Sequence, residues 1–259
     1  MPTEWLLHRR CWILSLLLAA TPAPLNAQPN SSPPRPISEP QPPGLRLGTI
    51  VHPLPVNQLT LRQQTEAIPQ AKKDRVHFFL LNGIDPAYAG NLNGVAAYFR
   101  SIGFKNTTCY QFPMTWKVRQ QVESIRKSDP EARIILLGYS VGANCVRGIA
   151  NHMQRENLHL DCLIYVAGDT IFNSAASKPA NVGQIVNITG HGLIFYGRDL
   201  FFKGDTIDGA INHRLDARHM SIPQQRETME AIGQQLVGLA NKSSTSASVV
   251  RPASASRAP

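Results

Sequence analysis

The chain has 259 residues and is basic, with 26 Lys and Arg against 17 Asp and Glu and a formal net charge of +9. That length holds one domain of moderate size, and the charge suits solubility or contact with anionic envelope polymers and lipid head groups. It contains no arginine–aromatic pattern of nucleic-acid recognition, no G-x-G-x-x-G or G-x-x-x-x-G-K-S/T phosphate loop, and no Cys/His cluster with metal spacing.

The first segment, 1–27, has the layout of a secretory signal peptide. His8, Arg9 and Arg10 form a basic start, Cys11 to Ala20 a short apolar run, and Leu25-Asn26-Ala27 a cleavage point. The apolar run is too short to span a bilayer comfortably. Export to the periplasm, envelope or medium is therefore expected. Residues 28–44 carry Pro33-Pro34 and Pro42-Pro43 and read as an extended tether. The folded domain is placed at 45–240, and the Ser/Ala/Pro-rich tail 241–259 is expected to be disordered. Beyond Cys11 three cysteines remain, Cys109, Cys145 and Cys162. An odd count argues against a disulfide framework.

Within the domain, Leu45 to Val51 is a candidate first strand and Leu59 to Ile68 a short helix. Val76 to Leu81 is a continuous apolar run, hence a strand buried on both faces, and it ends in Asn82-Gly83-Ile84-Asp85. Asn91 to Gly103 is a helix with Leu92, Val95, Phe99 and Ile102 at helical spacing. Asn106 to Phe112 is a short strand. Val118, Val122 and Ile125 mark a helix stopped at Asp129-Pro130. Ile134 to Leu137 is the next buried strand, followed by Gly138-Tyr139-Ser140-Val141-Gly142 and a helix from Ala143. Strands follow at Cys162 to Asp169, Gln184 to Gly190 and Ala210 to Leu215, and a last helix at Ser221 to Ala240 with Pro223 in its first turn. Strands alternating with helices are the pattern of a parallel sheet covered on both faces.

The Gly138 to Gly142 stretch is a G-x-S-x-G turn in the strand–turn–helix setting that a nucleophilic serine requires. The two glycines let strand and helix approach closely around Ser140. The helix start favours negative charge developing beside the Val141 N–H. With these features the chain resembles an α/β-hydrolase over about residues 72 to 240. The resemblance implies a doubly wound, mainly parallel α/β sandwich in three layers. A core of about 170 residues leaves little room for a cap domain.

It also implies a Ser–acid–His triad in that chain order and an oxyanion hole shared between the elbow and an earlier loop. Ser140 is then the nucleophile. The oxyanion donors are the N–H groups of Val141 and, from the loop after Leu81, Ile84. This chain has Asn82-Gly83 where that family commonly has His-Gly. His219, just before the last helix, is the base that the resemblance favours, ahead of His213 and His191. Asp169, at the end of its strand, is the favoured acid. Asp208 is the alternative, and Asp199, Asp205 and Asp216 follow. The apolar stretch His191 to Lys203 reads as a wall for an acyl group or as packing under a long loop. Tyr139 and Phe195 are the expected substrate contacts. The reading is of a monomeric, cofactor-free and metal-free serine hydrolase acting on a small-molecule or lipid ester. An acyltransferase with the same triad and a non-catalytic binding protein of the envelope are the alternatives.

Overall fold

The computed structural model describes residues 58–85, 88–168, 178–191 and 206–242. The signal segment, the tether, the candidate strand Leu45 to Val51 and the tail lie outside them. Six strands form one sheet: β1 (Val76–Asn82), β2 (Thr107–Gln111), β3 (Arg133–Tyr139), β4 (Leu160–Val166), β5 (Val182–His191) and β6 (Ile211–Arg218). Their order is β2-β1-β3-β4-β5-β6, and every neighbouring pair is parallel. Starting at β1, the chain winds outward to β2, crosses back to β3, and then moves stepwise to β6. Such an order reverses direction between β1 and β3, so the crevice above their C-terminal ends is where this architecture binds ligands.

Helices cover both faces. On one lie α1 (Gln58–Glu66), the single turn α2 (Gln70–Lys73), α3 (Leu92–Ser101) and α6 (Arg226–Asn241). Leu61, Val95, Phe99, Ile232 and Leu236 from this layer pack on Phe78, Leu80, Ile135 and Leu137. On the other lie α4 (Thr115–Ser128) and α5 (Val141–Arg155). Val118, Val122, Val146 and Ile149 there pack on Phe79, Leu81, Ile134 and Leu136. Successive residues of β1 and β3 thus feed opposite cores, which is why these strands read as unbroken apolar runs. The molecule is the expected doubly wound α/β sandwich. No helix among the described residues is long and apolar enough to cross a membrane. Cys109 and Cys162 are unbridged, and burial pushes the Cys162 thiol up to about 12.

The last helix departs from its expected start. His219–Gln224 is a 3-10 turn with Pro223 inside it, and α6 begins only at Arg226. Pro223 disfavours the α conformation at the residue before it, so the regular helix cannot begin there. Gln225 is extended at φ −62 and ψ 146, and Thr228 Oγ1 donates to the Ile222 carbonyl at 2.6 Å, tying turn to helix.

The N-terminal edge of the sheet carries a buried charge network. Asp161 accepts from Arg126 at 2.6 Å and from the Ile134 N–H at 2.8 Å, with Arg133 at 3.5 Å. The Arg126 and Asp161 side chains are only 7% and 5% exposed. Removing one partner leaves the other charged and desolvated. Asp161→Ala is therefore expected to cost about 3–5 kcal/mol in urea unfolding. Asp161→Asn, which can still accept from Ile134, is expected to cost less.

Candidate active site

Ser140 stands between β3 and α5 at φ 55 and ψ −126. That conformation is strained for any residue with a Cβ, by about 1–3 kcal/mol, and persists only where the surroundings impose it. Here they do. The Ser140 N–H donates to the Val166 carbonyl of β4 at 3.0 Å, and the Ser140 carbonyl accepts from Ala143 at 2.9 Å. A Cβ on Gly138 would lie 2.3 Å from the Gly142 carbonyl oxygen, and one on Gly142 would lie 2.1 Å from that of Leu81. Both contacts are with backbone and cannot yield, so the close approach needs glycine at both positions. Ser140 occupies the N-cap position of α5, yet its hydroxyl does not cap the helix. The serine is thus fixed by its backbone alone.

The loop after β1 lies against this elbow. A Cβ on Gly83 would meet the Tyr139 carbonyl oxygen at 2.7 Å, Ser140 Cβ at 2.8 Å and the Val141 nitrogen at 3.1 Å. Its own N–H is engaged, donating to the buried Asn82 side-chain oxygen at 3.0 Å. Ile84, half-buried, is the next amide along. Val141 opens α5, where no helical carbonyl is available to its N–H. Gly83 and the start of α5 therefore meet beside Ser140.

His219 begins the 3-10 turn that follows β6 and is 3% exposed. Its ring lies over Tyr139, the residue before the serine, with ring centroids 5.2 Å apart and planes 32° from parallel. Tyr139 Oη is 3.3 Å from both the His219 carbonyl oxygen and Met220 Sδ. Burial pulls the His219 pKa down to about 4, against an upward pull from the Asp85 carboxylate. The imidazole is therefore neutral at pH 7 and able to take a proton. Burial, with Asp85 adding to it, raises the Tyr139 phenol and keeps it protonated.

The other expected residues fall as follows. Asp169 lies outside the described residues, three positions past Val166, and Val166 pairs with Tyr139 across the sheet. Phe195, Asp199 and Asp205 also lie outside them. Asp208 is exposed and precedes β6, at the N-terminal edge of a sheet whose C-terminal edge bears Ser140. The structure does not bring it to the serine. His213 sits within β6, paired with Ile188, and His191 ends β5. Asp216 is exposed on β6. Tyr139 corrects the expectation of a substrate contact. At 1% exposure its ring is buried and supports His219 instead. Because β3 alternates faces, a residue two past Leu137 turns into the same core.

Asp85 is the residue that the sequence did not mark as part of the site. It is 4% exposed, and its two oxygens accept from the Ala89 N–H at 2.9 Å and the Gly90 N–H at 2.8 Å. The available signal was the Asp-Pro step closing an Asn-Gly turn, a pattern that favours side-chain capping of the following backbone. Among the described residues, no group of three or more His, Cys, Asp or Glu could hold a metal ion.

No protein-family model matches the chain, and no curated protein does. Among solved structures it is similar to a predicted CIB-like hydrolase from Thermoplasma acidophilum, at 12% identity and TM-score 0.40 over 64% of this chain and 87% of that one. It is also similar to an esterase from Pyrobaculum calidifontis, at 11% identity and TM-score 0.41 over 64% and 76%. An arylesterase matches at 12% identity and TM-score 0.39 over 63% and 76%.

Two outcomes follow from this geometry. Gly142→Ala drives a methyl into the Leu81 carbonyl and should lower stability in urea unfolding by at least about 2 kcal/mol. The second concerns acid. Unfolded, an imidazole binds its proton near pH 6.5, and folded His219 binds only near pH 4. Between those values the unfolded state holds the extra proton, so stability is present above pH 6.5 and falls as pH drops towards 4. The full contribution is about 3 kcal/mol. His219→Gln should flatten that part of the stability–pH curve, measured by denaturant midpoints between pH 4 and 7.

Proposed function

We propose that the protein is an exported serine hydrolase that cleaves carboxylic esters. The observation that carries this reading is the pairing of a serine held at positive φ with a buried, neutral histidine stacked on the adjacent Tyr139. Strain of that kind persists at functional sites, and a neutral imidazole is the form that a general base requires. The sheet topology adds support, since Ser140, the loop after β1 and His219 all lie at the C-terminal ends of their strands.

In this mechanism Ser140 Oγ attacks the ester carbonyl carbon while His219 takes the hydroxyl proton. The carbonyl oxygen becomes an oxyanion and is held by the N–H groups of Val141 and Ile84. Collapse expels the alcohol, which receives the proton from His219 and leaves an acyl-enzyme. Water, deprotonated by His219, then releases the acid and restores Ser140. Asp169, three residues past the end of β4 in the chain, orients His219 and stabilises the imidazolium. Phe195 and its apolar neighbours line the acyl side. The substrate is a small-molecule or lipid ester. The segment 1–27 directs the chain out of the cytoplasm, where its positive charge favours anionic envelope surfaces.

The test is covalent labelling of the purified chain with an alkyl fluorophosphonate. Wild type is expected to label, while Ser140→Ala and His219→Ala, each shown folded by circular dichroism, are expected to lose labelling by at least about a hundredfold. Failure of folded wild type to label would overturn the reading. Labelling that persists in His219→Ala would remove His219 as the base.

A further inference from the structure

Between β1 and α3 the chain is fastened from two sides. From inside, Asp85 receives the N–H groups of Ala89 and Gly90. These bonds to a buried carboxylate close residues 85–90 into a ring. Gly90 has no room for a side chain, since a Cβ there would lie 2.7 Å from Tyr139 Cε1 and 3.2 Å from Asp85 Oδ2. Carboxylate, glycine and tyrosine ring are thus packed on one another. From outside, Gln224 Nε2 donates to the Ala89 carbonyl at 2.6 Å, and Gln224 Oε1 faces Asn91 Nδ2 at 3.5 Å. Gln224 is the last residue of the turn that begins with His219. Asn91 in turn caps α3, accepting from Gly94 at 3.2 Å.

We propose that Asp85 and Gln224 are positioning residues that clasp the loop after β1 to the histidine turn, so that the Ile84 donor and the His219 base are held as one unit around Tyr139. The inference rests on the reading of Ser140 and His219 as nucleophile and base. Neither clasp residue touches the substrate. One connection runs from Asp85 through Gly90 to the Tyr139 ring and on to the His219 ring. The other runs from Ala89 through Gln224 along five residues of backbone to His219. An oxyanion donor and a base lose their value when displaced by about 1 Å, so two independent ties between their carriers have a direct catalytic use. Asp85 also acts at a distance. Among the described residues, the groups facing His219 include Tyr139 from β3, protonated, and Asp85 from the loop. On its own stretch Arg218 and Asp216 flank it and point to solvent. Asp85 is a carboxylate that raises the imidazole proton affinity against burial.

The experiment uses the full chain as wild type, Asp85→Asn and Gln224→Ala. Three quantities are measured: the maximal rate and the affinity of fluorophosphonate labelling, the titration of the His219 ring by nitrogen–proton NMR, and amide exchange at Ala89 and Gly90. In Asp85→Asn the maximal labelling rate is expected to fall on the order of tenfold with probe affinity unchanged. His219 should then titrate at still lower pH, and the two amides should exchange faster. In Gln224→Ala the rate should fall several-fold and the amides exchange faster, with the His219 titration unmoved. Wild-type labelling rates, titration and exchange in both variants would overturn the clasp. Should Asp85→Asn not fold, wild-type labelling and exchange in Gln224→Ala would overturn it alone. A wild-type chain that never labels, but in which these variants still shift the titration and exchange, would sink the hydrolase reading and leave the clasp standing.

Discussion

The contact on which the site depends is the approach of the Leu81 carbonyl to Gly142. The end of β1 and the first turn of α5 touch backbone to backbone there, with no space for a single methyl group. Parallel strands set β1 and β3 side by side, and their register places Leu81 opposite Gly138, the first glycine of the elbow. The next residues on both chains must then share one small volume. Gly83 falls against Ser140 and Val141, so two separate segments meet there with no room for a side chain. Wider spacing between β1 and α5 would leave Ser140 free to relax its φ and carry the Asn82-Gly83-Ile84 turn away from it. The strain at Ser140 and the closeness of the loop therefore have one cause.

Electrostatics follow from the same compactness. His219 is buried because the turn that carries it is folded over Tyr139, and Tyr139 is buried because β3 alternates its side chains between two cores. Desolvation then outweighs the attraction of Asp85 and keeps the imidazole neutral. Under the proposed mechanism, the charge pair formed during attack is stabilised where dipoles already point at it, which places the burden on backbone N–H groups.

Much of this was legible in the chain. The strands β1, β3 and β4 announced themselves because burial on both faces demands unbroken runs such as Ile134 to Leu137. The elbow was legible because its geometry admits few residues at Gly138, Ser140 and Gly142. His219 could be placed only by its position before the last helix. The start of that helix was misplaced, because Pro223 suits a first turn and a 3-10 turn equally well in composition. Tyr139 was assigned to substrate because adjacency to the serine is visible in sequence, whereas the face its ring takes depends on the strand's parity within the sheet. Asp85 and Gln224 were invisible for a different reason. Their partners are 4 or 5 residues away in one case and 135 in the other, and those partners are backbone groups that no residue type advertises.

The Asn82-Gly83 step shows how a turn can be shaped by the side chain of its own first residue. Asn82 turns its side chain back onto the Gly83 N–H and consumes it, so that amide is committed to shaping the loop. In the proposed mechanism the donor is the next residue, Ile84, whose neighbour Asp85 ties down the next turn by accepting two further amides. An asparagine and an aspartate three residues apart thus spend their acceptors on backbone N–H groups on either side of Ile84. The backbone on both sides of Ile84 is thereby held. Under the proposed mechanism such holding is useful, since preorganisation requires an oxyanion donor's dipole to be oriented before the charge arrives.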